Sequence, residues 1–209
     1  EPDCHILINL GLSHKNRQGD MYWLQWLLYC ASVDWPVFGW YVWDKMSVTP
    51  RENDGRLSNF HEFIFHFNQV RNPINKWVAT LGNAYAHARS YRQKDGTLAL
   101  SKSPDKYGQP YKVPNSVIRI MAEQARGIHT QNHPAVFPVA LPEFIMQTWS
   151  QPDDIVYEPF CGSGTSIIAA ENLHRKCYAV EISEEYCNLA IYRWQEATTQ
   201  QATRVEVAP

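Results

Sequence analysis

Ile155-Val-Tyr-Glu-Pro-Phe-Cys-Gly-Ser-Gly-Thr-Ser166 decides the fold of this chain, because an apolar run enters a tight Gly-x-Gly turn that opens directly into a helix. Gly162 and Gly164 lack a Cβ, so they tolerate positive φ and let a ligand approach the backbone. The helix expected from Ser166 to Leu173 aims its first amides at that ligand. A second apolar run, Cys177-Tyr-Ala-Val180, ends at Glu181, where a carboxylate can hold a ribose diol. The third glycine of a dinucleotide fingerprint is missing, so an adenosine-containing cofactor other than a nicotinamide or flavin dinucleotide is expected.

Outward from this stretch, strand-like and helix-like patterns alternate. His5–Leu10, Phe38–Trp43 and Glu62–Phe67 read as strands, and Tyr22–Val33 is apolar at helical spacing until Pro36. Pro142–Ser150 reads as a helix with proline in its first turn, and Ser183 followed by Glu184 and Glu185 sets the N-cap of a last helix reaching about Thr198. The alternation predicts an α/β sheet with helices on both faces. Four segments are expected: 1–70 as the first part of the sheet, 71–115 as an inserted lobe, 116–198 as the cofactor-binding half, and 199–209 as a tail.

The chain has 209 residues, 44% of them hydrophobic, enough for a core in one domain with an insertion. No run approaches the roughly eighteen apolar residues of a membrane span, and the N-terminus lacks a signal-peptide pattern. Five cysteines (Cys4, Cys30, Cys161, Cys177, Cys187) without Cys-x-x-Cys spacing fit free thiols in a reducing cytoplasm. His61 and His66 have no acid or cysteine at ligand spacing, so no metal is expected.

Charge is uneven. Between Arg71 and Lys112 lie eight Lys or Arg and two acids, a net +6 that leaves −8 for the rest of a chain whose total is −2. Tyrosines at 85, 91, 107 and 111 interleave with this charge, so Gly82–Asn115 reads as a basic, aromatic-bearing lobe suited to nucleic acid. Arg89, Arg92, Lys94 and Lys102 are the candidate phosphate contacts.

Three ordered segments together resemble the DNA amino-methyltransferases of β-type motif order, which methylate adenine N6 or cytosine N4. Glu158-Pro-Phe-Cys-Gly-Ser-Gly-Thr165 is similar to that family's Asp-Pro-Phe-x-Gly-Ser-Gly-Thr motif for S-adenosylmethionine, and Tyr178-Ala-Val-Glu-Ile-Ser183 to its acidic ribose-binding strand end. His133-Pro-Ala-Val-Phe-Pro-Val-Ala-Leu-Pro142 resembles its His-Pro-Ala-x-Phe-Pro segment, and Trp43-Asp-Lys45 and His61-Glu-Phe-Ile-Phe65 match recurring structural segments. The resemblance implies a Rossmann-like form of the α/β sheet and cofactor contacts from Glu158, Pro159, Phe160, Gly162, Ser163, Gly164, Thr165 and Glu181, with His133, Pro134 and Phe137 alongside. Glu158 stands where the family usually has Asp and would sit near the cofactor ammonium. Phe137 and Phe160 are read either as packing on the cofactor or as core residues. Cys161 is expected to be structural, since amino-methyl transfer needs no covalent intermediate, and His133 to shape the turn before Pro134.

The family grips the target base with an Asp/Asn/Ser-Pro-Pro-Tyr/Phe/Trp tetrapeptide, and no Pro-Pro dipeptide occurs in the 209 residues. Gln109-Pro-Tyr111 and Glu158-Pro-Phe160 only echo it, so no catalytic residue is assigned. The expectation is the C-terminal part of a longer S-adenosylmethionine-dependent DNA methyltransferase. Its partners would be DNA and either a missing N-terminal segment or a second copy of the chain. The alternatives are a catalytically silent DNA-binding homologue and a methyltransferase acting on RNA or a small molecule.

Overall fold

A computed structural model describes residues 3–11, 13–15, 18–46, 57–70, 72–80, 90–100, 110–122 and 137–206. The elements run β1 (Ile6–Leu10), β2 (Ser13–Lys15), β3 (Gln18–Asp20), α1 (Tyr22–Ser32), β4 (Gly39–Asp44), β5 (His61–Phe67), β6 (Val78–Ala79), β7 (Ser90–Arg92) and β8 (Leu98–Leu100). They continue with β9 (Tyr111–Lys112), β10 (Val117–Arg119), α2 (Ala140–Trp149), β11 (Ile155–Glu158), α3 (Thr165–Asn172), β12 (Lys176–Ala179) and α4 (Glu184–Thr198). Every strand and helix expected from the sequence is present within a residue or two at each boundary. Helix α1 ends before Pro36 because Asp34 turns to φ 62° and the Trp35 amide closes back on the Cys30 carbonyl at 2.8 Å.

The principal sheet has the order β1-β5-β4-β10; β5 is antiparallel to both its neighbours, and β10 is parallel to β4. The period of two in β5 sends its side chains to two different helices. Phe63, Phe65 and Phe67 meet Trp23 and Trp26 of α1, with ring centroids 5.4–6.3 Å apart, and Trp40 of β4 joins the same stack. On the opposite face Ile64 packs with Trp43, Ile118 and Leu141 of α2, all at most 3% exposed. Helices therefore cover both faces of this sheet, and the fold is α/β.

Helix α2 has a second apolar side. Met146 packs on Ala169 and Ala170 of α3, with Val156 and Cys177 from the parallel pair β11–β12 beneath. The helix thus links the four-stranded sheet to the strand–turn–helix unit of the opening stretch. Burial of this core contributes on the order of 25 cal/mol per Å² of apolar surface.

Two features were not expected. Val117–Arg119 is a sheet strand although its apolar run is short; Ile118, 2% exposed, fills the α2 side of the sheet. The basic insertion is closed at its base by β6 and β9, which pair antiparallel, and Thr80 donates its amide to the Pro110 carbonyl at 2.9 Å. Within it β7 and β8 form a hairpin around Asp95, whose carboxylate accepts from the Thr97 amide and hydroxyl, and Gly96 at φ 86°. Among the described residues no helix is long and apolar enough to cross a membrane, and no group of three or more His, Cys, Asp or Glu gathers as a metal site.

Candidate functional site

The turn after β11 takes the geometry that its glycines permit. Gly162 lies at φ 50° and Gly164 at φ 80°, left-handed conformations that cost other residues roughly 1–2 kcal/mol each. Gly164 serves a second requirement, because a Cβ there would lie 2.8 Å from Ala190 Cβ and 3.0 Å from Ala190 Cα. Helix α4 is therefore pressed against the turn, and only glycine admits the approach. Among the described residues no side chain caps the start of α3, and its N-terminal dipole, roughly half a positive charge, faces the turn.

Both acids expected at the site are held by backbone amides. Glu181 accepts from the Gly162 amide at 2.8 Å through one oxygen and from the Ser183 amide at 2.9 Å through the other, so its carboxylate bridges the turn and the loop after β12. Glu158 accepts from the Phe160 amide at 3.1 Å and from the Ser166 hydroxyl at 2.8 Å. Carboxylates in such settings are fixed in direction. The parallel pairing is extended past the strand ends by the Val180 amide on the Glu158 carbonyl at 2.9 Å and the Cys161 amide on the Val180 carbonyl at 3.0 Å. The two strand ends thereby stay side by side at the mouth.

The two phenylalanines separate. Phe160 is 88% exposed beside the turn, whereas Phe137 is half-buried against the Leu141 cluster as a core residue. Ile182, directly after Glu181, is fully exposed. Each acid thus has a large apolar side chain standing in water close to it in the chain, Phe160 two residues after Glu158 and Ile182 directly after Glu181. Cys161 is unsuited to nucleophilic work, since burial and the nearby Glu181 push its thiol up to about 11. A cavity of about 160 Å³ lined by Tyr41, Ile118, Phe144 and Trp149 among others includes none of these turn residues.

Ser163 and Thr165, each 4% exposed, point away from the mouth toward α4. The Arg193 guanidinium donates to the Ser163 carbonyl at 2.6 Å, the Ser163 hydroxyl at 2.8 Å and the Thr165 hydroxyl at 3.1 Å. Helix α4 starts as expected, with Ser183 accepting from the Tyr186 amide at 3.4 Å. Arg193 and Ile182 were not singled out from the sequence. Ile182 adjoined a chosen residue and could have been found, whereas nothing in the spacing of α4 tells which loop Arg193 meets. Of the candidate phosphate contacts, Arg92 and Lys94 are exposed on the β7–β8 hairpin. Arg89 and Lys102, together with His133 and Pro134 of the upstream segment, lie outside the described residues.

With this geometry established, comparison with known proteins places the chain. The family model described as DNA methylase, of the N6/N4 class, matches residues 1–192. The orphan methyltransferase M.BamHII of Bacillus amyloliquefaciens is 28% identical over 179 residues, 78% of this chain and 64% of that protein. The Type II methyltransferase M.SmaI of Serratia marcescens is 27% identical over 157 residues, 73% of this chain and 46% of that protein. The chain thus spans about half to two thirds of the length of these relatives. Among solved structures it is similar to the cytosine-N4-specific PvuII DNA methyltransferase, with a TM-score of 0.67 at 20% identity over 93% of this chain and 64% of that one. It is also similar to the M1.HpyAVI–SAM complex, with a TM-score of 0.57 at 22% identity over 92% of this chain and 75% of that one. The fold is that of these methyltransferases, and the chain belongs to the N6/N4 DNA methylase family.

Proposed function

We propose that this chain carries the S-adenosylmethionine site and the DNA-reading lobe of an enzyme that methylates the exocyclic amino group of adenine or cytosine. The single observation that carries the reading is the Glu181 carboxylate, held through one oxygen by the Gly162 amide of the turn from which α3 starts and through the other by the Ser183 amide. These groups fit the cofactor chemically. Glu181 suits a ribose diol, Ile182 and Phe160 offer apolar contact to adenine, and Glu158 suits an ammonium. The α3 amides suit a carboxylate.

S-adenosylmethionine, when bound, supplies an electrophilic methyl on a sulfonium. The chain's own part is to hold the donor with its methyl toward the base, a task of positioning in which a misplacement of about 1 Å can cost roughly a hundredfold. Arg92 and Lys94, on the β7–β8 hairpin within the insertion that β6 and β9 close, would neutralise phosphates and orient the duplex. Removing a base from the stack costs a few kcal/mol, and the tetrapeptide that would grip it is assigned to sequence outside 1–209. Among the described residues β1, β10, β11 and β12 each pair on one side only, and any of these edges could take a further strand.

Titration calorimetry with S-adenosylmethionine tests the cofactor reading: saturable one-to-one binding is expected, and none at millimolar cofactor would refute it. Transfer of tritiated methyl to DNA then distinguishes a chain active by itself from one that needs the base-gripping segment.

A further inference from the structure

Resting on the cofactor reading, we propose that Arg193 is a positioning residue for the amino-acid end of the cofactor, acting through the Gly-x-Gly turn rather than by gripping the ligand. Three features of its setting support this. First, its guanidinium donates to the Ser163 carbonyl and to the hydroxyls of Ser163 and Thr165. Both hydroxyls and one carbonyl of the turn are thereby drawn onto α4, away from the mouth, which fixes the peptide between Ser163 and Gly164. Second, Ala190 lies one helical turn earlier on α4, 2.8 Å from where a Gly164 Cβ would stand, so two residues of one α4 face clamp adjacent residues of the turn.

Third, the charge is placed against the local dipole. Thr165 is the first residue of α3, so the guanidinium sits at the positive end of that helix, where a cation is disfavoured. The cofactor carries its carboxylate at the amino-acid end, the part of the ligand that the amides at this helix start suit. Adenosine recognition by Glu181 and Ile182 uses a different part of the site, so Arg193 should matter only to ligands that have the methionine portion.

The test is calorimetric binding of S-adenosylmethionine and of 5′-methylthioadenosine, which lacks the amino-acid end, to the parent chain, Arg193→Met and Arg193→Lys, with melting curves for all three. Arg193→Met should weaken S-adenosylmethionine by about tenfold or more, the size expected for losing charge-assisted hydrogen bonds. It should leave 5′-methylthioadenosine within about twofold, and Arg193→Lys should recover part of the loss. Equal weakening of both ligands, or no weakening of either, overturns the proposal. Should Arg193→Met fail to fold, the same comparison on Arg193→Lys decides it. A parent that binds 5′-methylthioadenosine and not S-adenosylmethionine overturns the inference and leaves adenosine recognition at Glu181 standing; a parent that binds neither overturns the cofactor reading itself.

Discussion

Replacing Gly164 with alanine probes the packing that joins the turn to α4. At φ 80° an alanine pays roughly 1–2 kcal/mol of backbone strain. The new methyl would lie 2.8 Å from Ala190 Cβ and 3.0 Å from Ala190 Cα, whereas carbon atoms rest comfortably at about 3.5–4.0 Å. The second of these atoms is helix backbone, so α4 must move by several tenths of an ångström, an overpacking cost of about 1–3 kcal/mol. The sum is about 3 kcal/mol, or a fall of roughly 6–12 °C in melting temperature for a chain of this size.

Gly96→Ala is the matched control, because Gly96 has φ 86° with nothing within 4 Å of the added atom. It should lose only the strain. Adding Ala190→Gly to Gly164→Ala should return at least about 0.5 kcal/mol beyond additivity, since it removes the nearer of the two clashing atoms. Thermal and denaturant unfolding of these three variants and of Ala190→Gly alone against the parent measures each quantity. A Gly164→Ala protein that melts no lower than Gly96→Ala would refute the claim that α4 sets the shape of the turn.

The remaining predictions concern the site, the core and the basic lobe. Ile182→Ser should leave the melting temperature unchanged, because Ile182 is fully exposed, yet reduce S-adenosylmethionine affinity by about tenfold by removing apolar surface beside Glu181; equal affinity by calorimetry would remove Ile182 from the site. His66 is buried, with ring nitrogens 3.0 Å from the Tyr41 hydroxyl and 2.9 Å from His5 Nδ1, itself 3.0 Å from Asn68 Nδ2, and burial lowers its pKa to about 4. Because the folded value lies below the unfolded one, the unfolded chain takes up the proton first. Stability is therefore complete above about pH 6.5 and declines toward pH 4, by up to about 3 kcal/mol. His66→Gln should flatten that decline in pH-dependent melts, and an equally steep decline would exclude His66 as its source. Iodoacetamide at pH 8 should label exposed Cys4 well before Cys161 and Cys177, whose thiols burial pushes up to about 11; peptide mapping that finds Cys161 labelled first would contradict its assignment as a structural thiol. Changing Arg89, Arg92, Lys94 and Lys102 together to alanine should flatten the salt dependence of DNA affinity, with the log–log slope falling by up to about one for each phosphate that is no longer neutralised. An unchanged slope in filter binding would place the DNA elsewhere.

What the sequence determined by itself was local. The glycines at 162 and 164, the apolar runs ending at Glu158 and Val180, and the Ser183 cap are decided over a few residues, because positive φ, strand alternation and N-capping are short-range physics. They were enough to give the α/β class, while the family came from the resemblance of the ordered segments that contain them. Tertiary structure alone decided which groups meet across distance: Phe160 is left in water while Phe137 enters the core, and Glu181 bridges the turn to its own loop. It also brought Val117–Arg119 beside β4 and delivered Arg193, thirty residues from Ser163, to the back of the turn. Spacing along the chain carries no information about such meetings, because they depend on where α2 and α4 pack, and that packing is set by the whole apolar core rather than by any one segment.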